Sequence, residues 1–269
     1  MIRFLIILFL VASLFVHAQK DTSFQFLKKI PLAASQFSVD NLNNIYILTA
    51  NEQLKKYNAN GDSAGVYNEV RRFGKLHHLD VSNPLKLLAF YKDFSTVVVL
   101  DRFLSVRSIL DLRKQNILQA SAIGLSYDNN IWVFDAINFT LKKLDEKGVQ
   151  LFETADFRSL FGINFKPTTI IDQNNSIYLY DPAIGVYRFD YFGTLQKKYP
   201  VTGWSHIAVI NQHIVGIAEN KLQLFNTSNY LQQQYQFPSS FGSFSSYIIA
   251  NTTLFGLDKE AIHSYSFRF

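Results

Sequence analysis

The chain contains no cysteine. That absence excludes disulfide bonds, thiolate nucleophiles and cysteine-ligated metals together, so a stable fold must rest on its core alone. Concentrated charge is missing as well. The 26 Lys and Arg against 21 Asp and Glu give a formal charge of +5, yet the cations gather in the sequence no further than pairs such as Lys55-Lys56 and Arg71-Arg72. Scattered cations mark a solvated surface, and no nucleic-acid partner is expected. Long apolar runs do not occur beyond the N-terminus, so no transmembrane segment is expected past that point.

What is present begins with an address. Met1-Ile2-Arg3 supplies a positive start and the run from Phe4 to Val16 is apolar. Val16-His17-Ala18 then places small or β-branched residues where a signal peptidase reads. The apolar run is shorter than the about 20 residues that span a bilayer. The expectation is a signal peptide over 1–18 and one mature domain over 19–269, in the periplasm, at the outer membrane or secreted. No cysteine follows the cleavage point, so the bacterial lipoprotein route is closed.

The mature chain repeats. Asn43-Asn44-Ile45-Tyr46-Ile47-Leu48, Asn129-Asn130-Ile131-Trp132-Val133-Phe134 and Asn174-Asn175-Ser176-Ile177-Tyr178-Leu179-Tyr180 align. Each opens on Asn, which tolerates turn geometry, and runs into β-branched and aromatic residues suited to a strand packed on both faces. A second strand follows each, ending in Asn58, Asp145 or Asp190 before a turn glycine at Gly61, Gly148 or Gly193. Further copies end at Asp101 and Asn226, and a last one runs from Thr253 to Ser266. The strand-ending positions 58, 101, 145, 190 and 226 are 43, 44, 45 and 36 residues apart, the period of propeller blades with several short strands each. The last copy lacks a fourth strand, whereas Phe24–Ile30 precedes the first copy as a spare. Pairing the two would close the ring and remove an open sheet edge. The fold class predicted is an all-β, six-bladed β-propeller closed by its N-terminal strand, with short helical turns at Leu110–Arg113 and Asp156–Leu160.

This unit of turn-Asn, strand, short turn, strand ending in Asp or Asn and turn-Gly resembles the NHL-type six-bladed propellers, a group with exported bacterial members. The resemblance covers nearly all of the mature chain and speaks to architecture, because propellers host many unrelated functions. Two enzyme families built on similar propellers leave no trace in the sequence. The glutamate of gluconolactonase-like hydrolases lies early in a Glu-Gly-Pro context that does not occur here, and no motif matches the His-with-acids arrangement of the streptogramin-lyase-like propellers.

Three features carry chemistry. The turn after the second strand of each blade holds an acid at Asp93, Asp135, Asp181, Glu219 and Asp258, with Asn51 in blade one. Such a ring would suit calcium, since hard cations take several oxygens; the simpler expectation is that each carboxylate caps the N–H groups of its own turn. His77-His78 precedes the innermost strand of blade two, and His206 holds the corresponding place in blade five. Neighbouring strand residues face opposite ways, which argues against both His77 and His78 on one zinc or copper ion. The expectation is instead a rim of Arg71, Arg72, Lys75, His77, Trp204 and His206 that contacts a ligand or partner. Finally, Phe237-Pro238-Ser239-Ser240-Phe241-Gly242-Ser243-Phe244 lacks strand alternation and reads either as an exposed aromatic loop fit for glycans or as one tucked into the adjoining blade. With no catalytic constellation recognisable, the function expected is a non-enzymatic protein-binding or scaffold module at the cell envelope. The alternatives are a metal-dependent lactonase- or lyase-like enzyme and a glycan-binding module.

Overall fold

The computed structural model describes residues 24–162 and 164–268; the expected signal peptide lies outside them. The chain folds into six four-stranded antiparallel sheets. In each of the first five the strands are laid down in order from the channel outward. The innermost strands are Gln36–Val39, His78–Asn83, Ala120–Leu125, Thr169–Gln173, Ser205–Ile210 and Ser246–Ala250, and each packs beside the innermost strands of both flanking blades, blade six against blade one. This is a six-bladed β-propeller, as the repeat predicts.

The middle strands explain why the sequence reads as continuous apolar runs rather than alternating ones. Lys86–Tyr91 is buried throughout. Leu87, Ala89 and Tyr91 enter a core shared with blade one, while Leu88 and Phe90 enter a core shared with blade three. Six such cores separate the blades, so each blade is covered only by its neighbours.

Hairpins supply the punctuation. Between first and second strands, Asn43, Asn129, Asn174, Asn175, Asn211 and Asn251 all adopt positive φ, which Asn accepts at little cost. After the third strand, Asn58, Asp101, Asp145 and Asp190 each accept N–H bonds at 2.8–2.9 Å from the residues two and four further on. The left-handed position that follows is Gly61, Gly148 or Gly193, but in blade two it is Leu104 at φ +66°. Leu104 is 3% exposed within the core between blades one and two, and that burial offsets its backbone strain.

Side chains also tie blade to blade on this lower face. Lys28 donates to the Ala59 carbonyl, Lys56 to that of Arg102 at 2.8 Å and Lys86 to that of Asn129. The Asp172 carboxylate accepts from Ser126 Oγ, Tyr127 N, Trp132 Nε1 and Tyr191 Oη at 2.7–3.1 Å, which joins blades three and four. Of the two expected helical turns, the first starts two residues later than Leu110, as Leu112–Gln115 capped by Asp111, because Leu110 and Asp111 end the strand Val106–Asp111; the second is Phe157–Phe161, capped by Asp156. Short helices at Val70–Phe73, Lys92–Phe94 and Ser239–Ser243 were not signalled by the repeat.

Closure follows the expected route. Phe24–Ile30 is the outermost strand of blade six, with Phe24 opposite Phe267 and Ile30 opposite Ile262. Phe24 packs edge-on to Phe237 and Phe241, and Ile30 reaches the core shared with blade one. A chain starting at residue 31 should melt about 10 °C or more below one starting at residue 19, because losing a strand exposes two apolar anchors and an edge. Equal melting temperatures in a calorimetric comparison would show that the ring is held closed by other means.

Candidate functional site

The segments entering the innermost strands and the turns between second and third strands share the upper face. There the channel opens into a cavity of about 460 Å³, framed by blades one, two, four, five and six. His77, His78, Trp204 and His206 are in its wall. None of its lining side chains is Asp, Glu, Lys or Arg; the wall is apolar, aromatic, hydroxyl and imidazole, with the one carboxamide of Gln36.

Local backbone features aim these groups. His206 has φ +50° and sits where the register of blade five breaks between Ser205 and Ala208. A bulge of this kind turns a side chain away from strand alternation. His77 donates its N–H to the Phe90 carbonyl at 2.9 Å and stands edge-on to the Phe90 ring at 5.8 Å; His78 opens the strand itself. Contrary to the alternation expected of neighbouring strand residues, His77 and His78 both reach the cavity, because His77 precedes the first ladder pair. Trp204 is fixed twice by one hydroxyl. Tyr180 Oη donates to its carbonyl and accepts its N–H, each at 2.7 Å. Its ring packs on Gly216, where a Cβ would come within 2.9 Å of Cε3.

Trp204 is only 7% exposed, so it is as much core as rim. Its removal would therefore take packing from the fold as well as a contact from the rim. Ser35, Ser205 and Ser245 use one device at the entry of blades one, five and six, where each hydroxyl donates to a second-strand carbonyl at 2.8–3.2 Å. Sequence reasoning missed this, although a serine at the same place in three repeats was the signal. Ser246 Oγ, on the cavity wall, is buried and has no hydrogen-bond partner among the described residues.

The remaining rim residues lie elsewhere. Arg72 lines a second cleft, on the outer flank between blades two and three. Arg71 and Lys75 are exposed and line neither. The five turn acids divide. Asp135 is fully buried; it accepts the N–H groups of Ile137 and Asn138 and the Asn138 amide, and pairs with buried Lys142 at 3.3 Å. Asp181 accepts from Ala183 N and from Lys166 N of the entering segment. Asp258 accepts from Glu260 N and Ala261 N and meets His263 Nε2 at 2.7 Å. Asp93 and Glu219 are exposed. Among the described residues no three His, Asp or Glu side chains gather as a metal-binding group. The aromatic loop is tucked in: Phe237 and Phe241 are buried, and Phe244 packs on Gly256 and Tyr247.

The protein is thus an all-β six-bladed propeller whose channel mouth is uncharged and bears three imidazoles. No protein-family model matches the sequence, nor does any curated protein. Solved structures are similar in fold alone. A streptogramin B lyase structure has a TM-score of 0.60 at 15% identity, covering 86% of this chain and 78% of its own. A catalytically inactive virginiamycin B lyase from Staphylococcus aureus with quinupristin has 0.62 at 12%, covering 91% and 100%. BamB from Moraxella catarrhalis has 0.53 at 12%, covering 92% and 97%.

Two outcomes follow from these environments. Asp135→Ala leaves the buried Lys142 ammonium with Glu153 alone, at 3.4 Å, and the turn N–H groups of Ile137 and Asn138 without their acceptor, and should cost about 2–3 kcal/mol; Asp258→Ala, in a more open turn, should cost about 1 kcal/mol. Urea titrations of the two variants check the order. Burial pushes the imidazoles of His77, His78 and His206 below the ordinary histidine value, with Lys92 adding to the effect at His77 and Asp80 opposing it at His78. All three touch channel water but are ringed by protein, and it is this longer-range enclosure that acts. As pH falls through about 6.5 the unfolded chain takes up protons that the folded one refuses, so stability must drop. The depressed carboxylates such as Asp190 and Asp258 cost stability only near and below about pH 4. Melting temperature should therefore fall between about pH 7.5 and about pH 5. The triple variant His77→Asn/His78→Asn/His206→Asn, in which Asn keeps the left-handed backbone at 206, should flatten that fall. An unchanged slope would refute the assignment.

Proposed function

We propose that this chain is an exported, non-enzymatic binding module of the periplasm or outer membrane that seats a segment of a partner protein at the mouth of its channel. The observation that carries the reading is the cavity wall. Five blades contribute to one uncharged concavity, whose volume of about 460 Å³ suits one or two large side chains or a small ligand. Its walls are pre-set, by the doubled Tyr180–Trp204 hydrogen bond and the serine ties, so little order has to be gained on binding. Three neutral imidazoles supply donors and acceptors for a peptide backbone. The charged-then-apolar pattern of residues 1–18 and the NHL-type resemblance support the cell-envelope setting.

A second reading is an enzyme of the lyase kind. It is favoured by the gathering of three imidazoles on one cavity, since a neutral imidazole is a competent general base, and by the fold likeness to the streptogramin B lyases. No observation favours the glycan reading, because the loop that motivated it packs its rings inward.

Affinity purification of the tagged protein from its native host separates the two readings. Wild type should retain a partner that His77→Asn/His206→Asn releases, by about tenfold or more in affinity, at unchanged melting temperature near neutral pH; both side chains are exposed in the mouth, and Asn keeps the left-handed backbone at 206. Trp204→Ala is not a clean probe, because its packing on Gly216 makes it a stability variant. Catalysed consumption of quinupristin that disappears in the same double variant would replace the binding reading with the enzymatic one.

A further inference from the structure

The geometry points to a second binding site, for a compact oligoanion carrying two or more phosphate or sulfate groups, in the cleft between blades two and three. It does not depend on what the channel mouth does. The cleft, about 570 Å³, is lined by Arg72, Arg113, Lys114 and Lys147 around a single acid, Asp111. These cations are scattered in the sequence, and the fold gathers them from three separate segments. Arg72 comes from the helix Val70–Phe73 that leads into blade two. Arg113 and Lys114 come from the helix Leu112–Gln115 that leads into blade three. Lys147 comes from the last hairpin of blade three.

Each segment is held in place without any ligand. The Arg72 guanidinium lies 4.8 Å from the Phe73 ring centre. Asp111 caps the helix through Arg113 N and also holds Arg113 Nε at 3.0 Å, and that hydrogen bond keeps its carboxyl below the usual range. Lys147 donates its N–H to Asp145 Oδ1 at 2.8 Å. The hairpin closes on Gln115 because residue 148 is glycine, since a Cβ there would come within 2.7 Å of Gln115 Nε2.

The one acid is spent on Arg113. Among the described residues no carboxylate lies within ion-pair distance of Arg72, Lys114 or Lys147. Three cations outside any ion pair among the described residues thus face one concavity whose remaining wall includes Phe94, Ile109 and Leu110. Low-dielectric walls focus a field of one sign, and the mutual repulsion is relieved only by an anion. The Arg72 guanidinium offers a bidentate donor pair to a tetrahedral oxyanion, and two ammoniums offer adaptable point charges. A single small anion would reach one or two of these groups, so an oligoanion is the better match. The same chemistry is carried by a free polyphosphate and by a phosphate-bearing lipid headgroup.

Calorimetric titration with tripolyphosphate at low ionic strength, and flotation with phosphatidylcholine vesicles with and without phosphatidic acid, test the site and its source. The mature chain should bind at least one of the two anionic probes, and binding should weaken steeply with added salt. Arg72→Ala/Lys114→Ala/Lys147→Ala should weaken it about tenfold or more. The variant Lys29→Ala/Lys197→Ala/Lys259→Ala removes the same charge from exposed positions elsewhere and should change it little. Binding of tripolyphosphate identifies a soluble ligand, and binding of phosphatidic acid vesicles alone identifies a lipid surface. No binding of either probe by the wild type, or equal losses in the two triple variants, would overturn the proposal.

Discussion

Every blade of this protein has two apolar faces and no way to cover either by itself. The middle strands are buried on both sides, with odd and even residues feeding different cores. A single blade would leave both faces in water, and a row of blades would still leave two exposed. Only a closed ring satisfies all of them, so circularity is a packing requirement before it is an architecture. The absence of cysteine sharpens this, since no covalent link substitutes for a missing neighbour. The polar ties on the lower face, Lys56 to Arg102 and the four donors on Asp172, then fix the angle at which already apolar neighbours meet.

This requirement is why so much of the fold can be read from the sequence. Strands buried on both faces give runs such as Ile131-Trp132-Val133-Phe134, which stand out against polar hairpins. The hairpins need left-handed residues, so Asn recurs at 43, 129, 174, 211 and 251. Where a hairpin solves its geometry otherwise, the repeat fades. Blade two puts Leu104 in the position that glycine takes in blades one, three and four, so its copy lacks the turn glycine of the repeat. The short helices at Val70–Phe73 and Ser239–Ser243 carry no repeat signal, because each occurs once and is set by the neighbours it packs against.

The functional surface was legible only in part. A residue placed just before an innermost strand reaches the channel, which located His77, Trp204 and His206. Position along the chain does not say how far a loop swings outward, and so Arg72 was grouped with the mouth although the helix it belongs to carries it to the flank. Nor does a residue type reveal its depth: Trp204 reads as a rim aromatic but is clamped by Tyr180 against Gly216. The turn acids showed the opposite weakness. One repeated position serves as a buried ion-pair partner at Asp135, a clasp on the entering segment at Asp181, a helper of His263 at Asp258 and an exposed charge at Asp93 and Glu219.

The strand that completes blade six has a consequence in time. Ser264 Oγ reaches the Lys28 carbonyl across 236 residues of sequence, so the ring cannot close until almost the whole chain is available. Blades one to five form from contacts close in sequence, whereas the last sheet must find its outer strand at the far end of the polymer. Closure of that kind is slow, because loop entropy is spent before the contact rewards it. Until it happens, the strand Ile262–Phe267 presents an unpaired edge and blade one an uncovered face, both open to pairing with other chains. The slow step of folding and the moment of greatest exposure to misassembly are therefore the same event.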